Sequence, residues 1–325
     1  MSSPSSAADL LGVAPERWTS SALHAPDRTW IETNCYVDVW LELLPALGHT
    51  AEAALAFTLQ QDFEGDQFTF FKFPPEDLQS LFGLSVQELA IYDTVERHTL
   101  EQLHRGRPVL IEVDSHWLAD TVSYRQGHSK TTIAAMAIDT GARRLAYFHN
   151  TGYHALQGED YEGLFGPPAT PAVLFPYVEF VKRGTPCEPA ALVRESTRLL
   201  EYRLERRPRG NPVSAWRAAL PAHFERLAQG DMDFFHLYAF NLPRQLGANF
   251  ELLATYLAWL DATRQQDAYR PAVEAGRRLA EQARAVQFQL ARMARRKTFD
   301  PAKLDLGPLE EDYDTVFSTL LARTG

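Results

Sequence analysis

Tyr36, Val39, Trp40, Leu43, Leu44 and Leu47 recur at a 3.6-residue period, which predicts a helix opening at Cys35. Thr33 and Asn34 are candidate N-caps, and Gly48 suits the C-terminal stop. Thr69–Phe73 reads as a short strand, and Pro74-Pro75-Glu-Asp-Leu as a helix start, since proline is tolerated in a first turn. Leu84–Gln87 reads as a turn into a second short helix, and Thr94–Gly106 as an amphipathic helix closed by glycine. The period then changes. Arg107–Asp114 is a β-branched apolar run, hence a buried strand. Lys130–Ile138 and Arg144–His149 read as a hairpin turning at Asp139-Thr-Gly-Ala-Arg, and Val173–Val181 as a further strand. Beyond Gly184-Thr-Pro-Cys-Glu-Pro, a linker by its prolines, the pattern is helical over 189–206, 212–229, 231–239, 245–264, 270–296 and 308–322. The expected organisation is an N-terminal extension (1–30), an α+β domain (31–185) and an all-α domain (186–325).

Composition is that of an ordinary globular chain, with 45% hydrophobic and 23% charged residues in 325. Two cysteines, Cys35 and Cys187, do not make a disulfide framework and read as free thiols of a cytoplasmic protein. The first residues lack the basic start and apolar run of a signal peptide, and no stretch reaches the roughly 18 apolar residues of a membrane helix. The net charge of −10 argues against a sequence-blind nucleic-acid binder. It is unevenly spread: residues 1–186 hold 12 basic against 24 acidic side chains, residues 187–325 hold 20 against 18. Basic runs such as Arg203–Arg209 and Arg292–Lys297 are solvated helix faces or a docking face for an acidic partner.

The chemistry-bearing residues cluster in the middle zone. A thiol at a helix start sits where unpaired N–H groups and the helix dipole favour negative charge, so Cys35 is a candidate nucleophile. His128 precedes a buried strand, and the hairpin ends at His149-Asn-Thr-Gly, so Asn150 is a candidate to orient the imidazole. Asp114 is a candidate to supply the charge an asparagine lacks, His149 or His154 to replace Asn150 as orienter. Asn34 and Thr33 are candidate oxyanion donors with the Cys35 N–H, and Tyr124 and Tyr153 candidate pocket walls. His98 and His104, six residues apart, fall on different helix faces, and no metal site is expected; neither phosphate loop nor dinucleotide fingerprint occurs.

A cysteine at a helix start, then a strand ending in aspartate, then histidine, strand and hairpin resembles the papain-like fold. Pro108-Val-Leu-Ile-Glu-Val-Asp114, Tyr124 and His128-Ser-Lys-Thr-Thr-Ile-Ala are similar to the N-terminal domain of the butirosin-biosynthesis acyltransferase family, over roughly residues 28–182. The whole chain resembles an uncharacterised bacterial family with that core. The resemblance implies Cys35 as nucleophile and His128 as general base, with Asn150 where relatives usually carry aspartate. It also implies an acyl group received from the phosphopantetheine arm of an acyl or aminoacyl carrier protein and passed to a small-molecule amine, with no bound cofactor, nucleic acid or membrane. Papain-like peptidases place a glutamine before the cysteine where this chain has Thr29, which favours transfer over a peptidase or amidase. The third reading is a non-catalytic binding protein for a carrier.

Overall fold

The computed structural model describes residues 6–166 and 176–324. They form two compact units that interleave along the chain. Unit 1 runs to Pro26, then takes Asn34–Ala51 and Pro75–Cys187. Unit 2 takes Asp27–Thr33, Glu52–Pro74 and Glu188–Gly325. Residues 52–74 lie within the stretch expected to be one α+β domain, yet they cluster with the C-terminal helices.

Unit 1 is a mixed α/β body around one antiparallel sheet of seven strands. Its strands are β1 (Ala7–Asp9), β2 (Leu84–Glu88), β3 (Val109–Asp114), β4 (Lys130–Asp139), β5 (Arg144–His149), β6 (Gly152–Gln157) and β7 (Val178–Arg183). Its helices are α1 (Cys35–Ala46), α2 (Pro75–Phe82), α3 (Val95–His104) and α4 (Glu159–Phe165). The sheet order is β2-β7-β3-β4-β5-β6, and β1 pairs with the far end of β4. Successive strand residues point to opposite faces. One face buries Val109, Ile111, Ile133 and Tyr147 with Leu103 of α3 and Tyr161 of α4. The other carries Thr132, against Cys35 of α1, and Glu179, against Tyr36 of α1.

A bulge shifts the β4–β5 register between Ala135 and Ala137. The extra residue reverses which parity faces which side, so that Ile138 joins the same cluster as Ile133 and Ala135. Without it, Ile138 would face the other side of the sheet.

Three sequence expectations change here. Leu84–Glu88 is a strand paired with β7, not a turn into a helix. Gly83, at φ +65°, reverses the chain directly after α2, and its missing side chain admits the Thr185 carbonyl; an added Cβ would meet that oxygen at 2.4 Å. Thr69–Phe73 is not a strand; pairing there is limited to an isolated bridge between Phe63 and Phe68. Of Val173–Val181, the strand holds Val178 onward, and residues 173–175 lie outside the described residues.

Unit 2 is built from α5 (Pro189–Glu205), α6 (Pro212–Gln229), α7 (Met232–Ala239), α8 (Gln245–Arg264), α9 (Arg270–Arg296) and α10 (Gly307–Thr324). Helix α8 is apolar nearly all round, from Leu246 to Leu260, and so lies at the centre. Residues 52–61 belong with these helices because their polar groups are answered there. The Ala53 carbonyl accepts from Ser196 Oγ (2.8 Å), the Thr58 carbonyl from Asn249 Nδ2 (2.9 Å), and Gln61 Nε2 donates to the Gln245 carbonyl (3.0 Å). Buried backbone groups need such partners, and these three would otherwise cost about 1–3 kcal/mol each. No helix among the described residues is long and apolar enough to cross a membrane.

Candidate active site

Cys35 is the first residue of α1, as its sequence setting implies. Asn34 is the N-cap: its backbone is extended, and its side chain accepts from the Val37 N–H at 3.0 Å. That use of the Asn34 carbonyl oxygen commits it to the helix. Cys35 itself is partly exposed. Its Sγ lies 3.7 Å from Thr132 Oγ1 on β4. Thr33 belongs to unit 2, where its carbonyl accepts from Arg244 Nε at 3.0 Å, and Glu32 pairs with Arg244 at 3.2 Å.

His128 stands two residues before β4. Its Nδ1 meets Asp114 Oδ2 at 2.6 Å, and its ring stacks on His116 with centroids 4.5 Å apart. Asp114 also accepts from the backbone N–H groups of His116 (3.0 Å) and Ser129 (3.3 Å). Burial pushes the Asp114 carboxyl upward, but the His128 hydrogen bond and those two N–H groups outweigh it and hold the group below the usual carboxylate range. The pair is open to water, with the imidazole 65% exposed. Asp114, not Asn150, therefore orients His128. Asn150 occupies the tight β5–β6 turn at φ +45°. Extending the β4–β5 register by two residues sets it level with Thr132, four residues past His128. Four strand residues span about 13 Å. Among the described residues, no hydrogen bond joins Cys35 to His128 or Asn150 to either. The strand residue facing the thiol is Thr132.

The loop from Ser115 to Ser129 is held by α4. Arg125, at φ +56°, stacks over the Trp117 ring at 4.8 Å and binds Glu159 (3.0 Å) and Asp160 (2.5 Å). Tyr124 gives its hydroxyl to Asp160 at 3.0 Å, so it braces this loop. Tyr153 is buried against Trp18 and Phe148. It borders a cavity of about 510 Å³ between the β1 segment and the far end of β4, lined also by Asp9, Asp139 and Arg144.

Two buried clusters were not read from the sequence, although His149, a candidate orienter of His128, belongs to one of them and bonds elsewhere. Across the sheet from the thiol, Thr131 Oγ1 lies 2.7 Å from His149 Nε2, and His149 Nδ1 lies 2.5 Å from Asp120 Oδ2. Tyr147 donates to the other oxygen of Asp120 at 2.8 Å. Burial raises the Asp120 carboxyl, and the His149 hydrogen bond and charge, the His154 charge and the Tyr147 hydroxyl more than reverse it, so the group is held low. The hydroxyl–imidazole–carboxylate geometry is that of a nucleophile relay, but Thr131 and His149 are sealed, at 7% and 1% exposure. Under α1, His24 Nδ1 lies 2.6 Å from Glu42 and its Nε2 3.5 Å from Asp38. Trp18 Nε1 and the Ser21 N–H also donate to Glu42, each at 2.8 Å. Burial opposes a charge on His24, and the hydrogen bonds and charges of Asp38 and Glu42 overcome it, raising the imidazole to about 9. Strand alternation could have flagged Thr132 beside the thiol. Asp120 and His24 lie in irregular sequence and carry no such signal. Among the described residues no group of three or more His, Cys, Asp or Glu side chains could hold a metal ion.

Residues 19–183 match the family model of the DUF1839 N-terminal domain, and residues 189–322 that of the DUF1839 C-terminal domain. The chain belongs to the DUF1839 family. Cys35, His128, Asp114, Thr132 and Asn150 all fall in the N-terminal domain of that family. The two matches meet at the proline-containing segment between β7 and α5. No curated protein matches the chain.

Proposed function

We propose that unit 1 is a papain-like acyl-transfer domain in which Cys35 carries the acyl group. The observation that carries this reading is a partly exposed thiol at the capped positive end of α1, facing the strand that His128 precedes. The first turn of a helix stabilises negative charge on such a sulfur. The donor is a thioester, in the fullest form an acyl or aminoacyl group on the phosphopantetheine of a carrier protein. In the first step the acyl carbon bonds to Cys35 Sγ, its bond to the donor sulfur breaks, and the thiol proton passes to the departing sulfur. In the second, an amine attacks the Cys35 thioester, the amide forms as the carbon–sulfur bond to Cys35 breaks, and the amine proton passes to the departing Cys35 sulfur. His128, held by Asp114 and making no hydrogen bond to Cys35 among the described residues, is assigned to the acceptor amine rather than to the thiol.

Incubation with an acyl-pantetheine thioester followed by intact-mass measurement tests the reading. The expected result is one acyl adduct that Cys35→Ala abolishes and an added amine discharges, with discharge slowed at least tenfold by His128→Ala. An adduct that persists in Cys35→Ala, or none with any carrier-linked acyl group, refutes it. One observation favours a second reading, a non-catalytic binding domain: the thiol's neighbour is the hydroxyl of Thr132, not an imidazole. A cysteine peptidase or amidase would need an imidazole to take the thiol proton, so the same contact weighs against it.

A further inference from the structure

Helix α9 carries seven arginines against two glutamates over 27 residues. Its buried stripe, including Leu279, Ala283, Val286 and Leu290, packs into unit 2. Arg270 is neutralised by Asp267 and Glu274, and Arg278 by Asp312. The other five, Arg277, Arg284, Arg292, Arg295 and Arg296, are exposed, and among the described residues none lies within 4.0 Å of a carboxylate. Arg277, Arg284, Phe288, Arg292 and Arg295 recur at helical spacing, with Glu281 the only acid in the row. Phe288, in the middle, is 56% exposed. Arg284 reaches over its ring at 5.9 Å and gives a hydrogen bond to the Thr29 carbonyl, which fixes that guanidinium.

A solvated helix face normally mixes signs, because like charges four residues apart repel. The mixing stops at Glu281: from Arg284 to Arg296 no acid occurs, so Arg292, Arg295 and Arg296 keep their repulsion beside the exposed ring of Phe288, and both costs disappear against a complementary surface. We propose that the exposed row of α9 docks an acidic amphipathic helix of a partner protein, with carboxylates facing the arginines and an apolar side chain on Phe288. The row from Arg277 to Arg296 spans about 28 Å, roughly five helical turns. Its arginines, seven, eight and three residues apart, lie one or two helical turns from one another, a pitch that carboxylates along one face of a facing helix match. Sequence-blind nucleic-acid binding is disfavoured by the net charge of −10. The inference stands whether or not Cys35 carries an acyl group.

The probe is a fluorescent, designed 21-residue helical peptide with glutamates at this spacing around one leucine, titrated with the full chain. The expected result is binding in the tens of micromolar that weakens at least tenfold from about 50 to 300 mM salt. Arg292→Glu with Arg295→Glu should abolish it, and Phe288→Ala should weaken it about fivefold. Arg292→Gln with Arg295→Gln, which adds no acid near the helix C-terminus, repeats the test if the first pair harms folding. Binding unchanged in both pairs, no binding to wild type at 1 mM peptide, or equal binding of a proline-broken peptide of the same charge overturns the proposal. Tighter binding of a 20-base-pair duplex overturns it in favour of nucleic acid. Concentration-dependent self-association lost in the same variants overturns it in favour of a second copy.

Discussion

His128–Asp114 and His149–Asp120 are the same chemical pair in opposite surroundings. Both imidazoles present Nδ1 to a carboxylate, at 2.6 and 2.5 Å, and both carboxyls are held below their usual range. One imidazole is 65% exposed, the other 1%. In water an ion pair gains little, because solvent screens it and two side chains must be ordered. In the interior the same contact is costly to break, because the abandoned partner has nothing else to bind. The exposed pair is therefore open to solvent and solutes, while the buried one locks Asp120 of the β3–β4 loop to Tyr147 and His149 of β5. The comparison teaches that a histidine–carboxylate contact says little about function until its access to water is known.

The largest expected effect is at the buried pair. His149→Ala should cost about 3–5 kcal/mol in urea unfolding; a loss below about 1 kcal/mol would mean that the pair bears no structural weight. The His24 cluster extends the contrast to pH. A group raised from 6.5 to about 9 contributes stability that is complete below about 6.5 and lost as pH rises through about 9. Wild type should lose on the order of 3 kcal/mol more than His24→Gln between pH 6.5 and 9.5, and parallel curves for the two would contradict a charged His24. Next come the adjacent threonines. Thr131→Val leaves His149 Nε2 without its hydroxyl partner and should cost about 1–3 kcal/mol. Thr132→Val removes only a weak sulfur contact and should cost under about 1 kcal/mol; under the proposed acyl transfer it should also change the rate of Cys35 loading. Smallest of all, His128→Ala should leave the unfolding midpoint within about 0.5 kcal/mol of wild type. A carbon-13 titration should then find the Asp114 carboxyl moved up toward the ordinary range, and an unmoved Asp114 would deny the pair in solution.

Much of this architecture is legible in the chain. The period of 3.6 marks helices such as α5, α6 and α9 because each buries one stripe, α1 and α8 stand out as apolar runs because they are buried nearly all round, and the β-branched run Val109–Asp114 marks β3. Leu84–Glu88 misled because five residues, Leu-Ser-Val-Gln-Glu, carry too little period to separate turn from strand. Among the site residues, Cys35 at a helix start and Asp114 near His128 could be read from order and spacing. Asn150 could not be placed, since a hairpin's two ends are level only if the first strand starts where the second stops. Here His128 precedes β4 by two residues, and β5 stops level with Ile133 by the same register.

Sequence alone determined α1 to α3, the strands β3 to β5, that the second half is helical and relatively basic, and that one cysteine opens a helix. These are properties of period, composition and capping, and they act over a few residues. Only the tertiary structure decided that Thr132 faces that thiol, that Asp114 rather than Asn150 bonds His128, and that Asp120 and His24 are drawn into buried pairs. Each of those depends on sheet register, on one bulge and on where a loop closes. Such long-range choices are made by the packing of the whole core and leave no local pattern in the residues that take part.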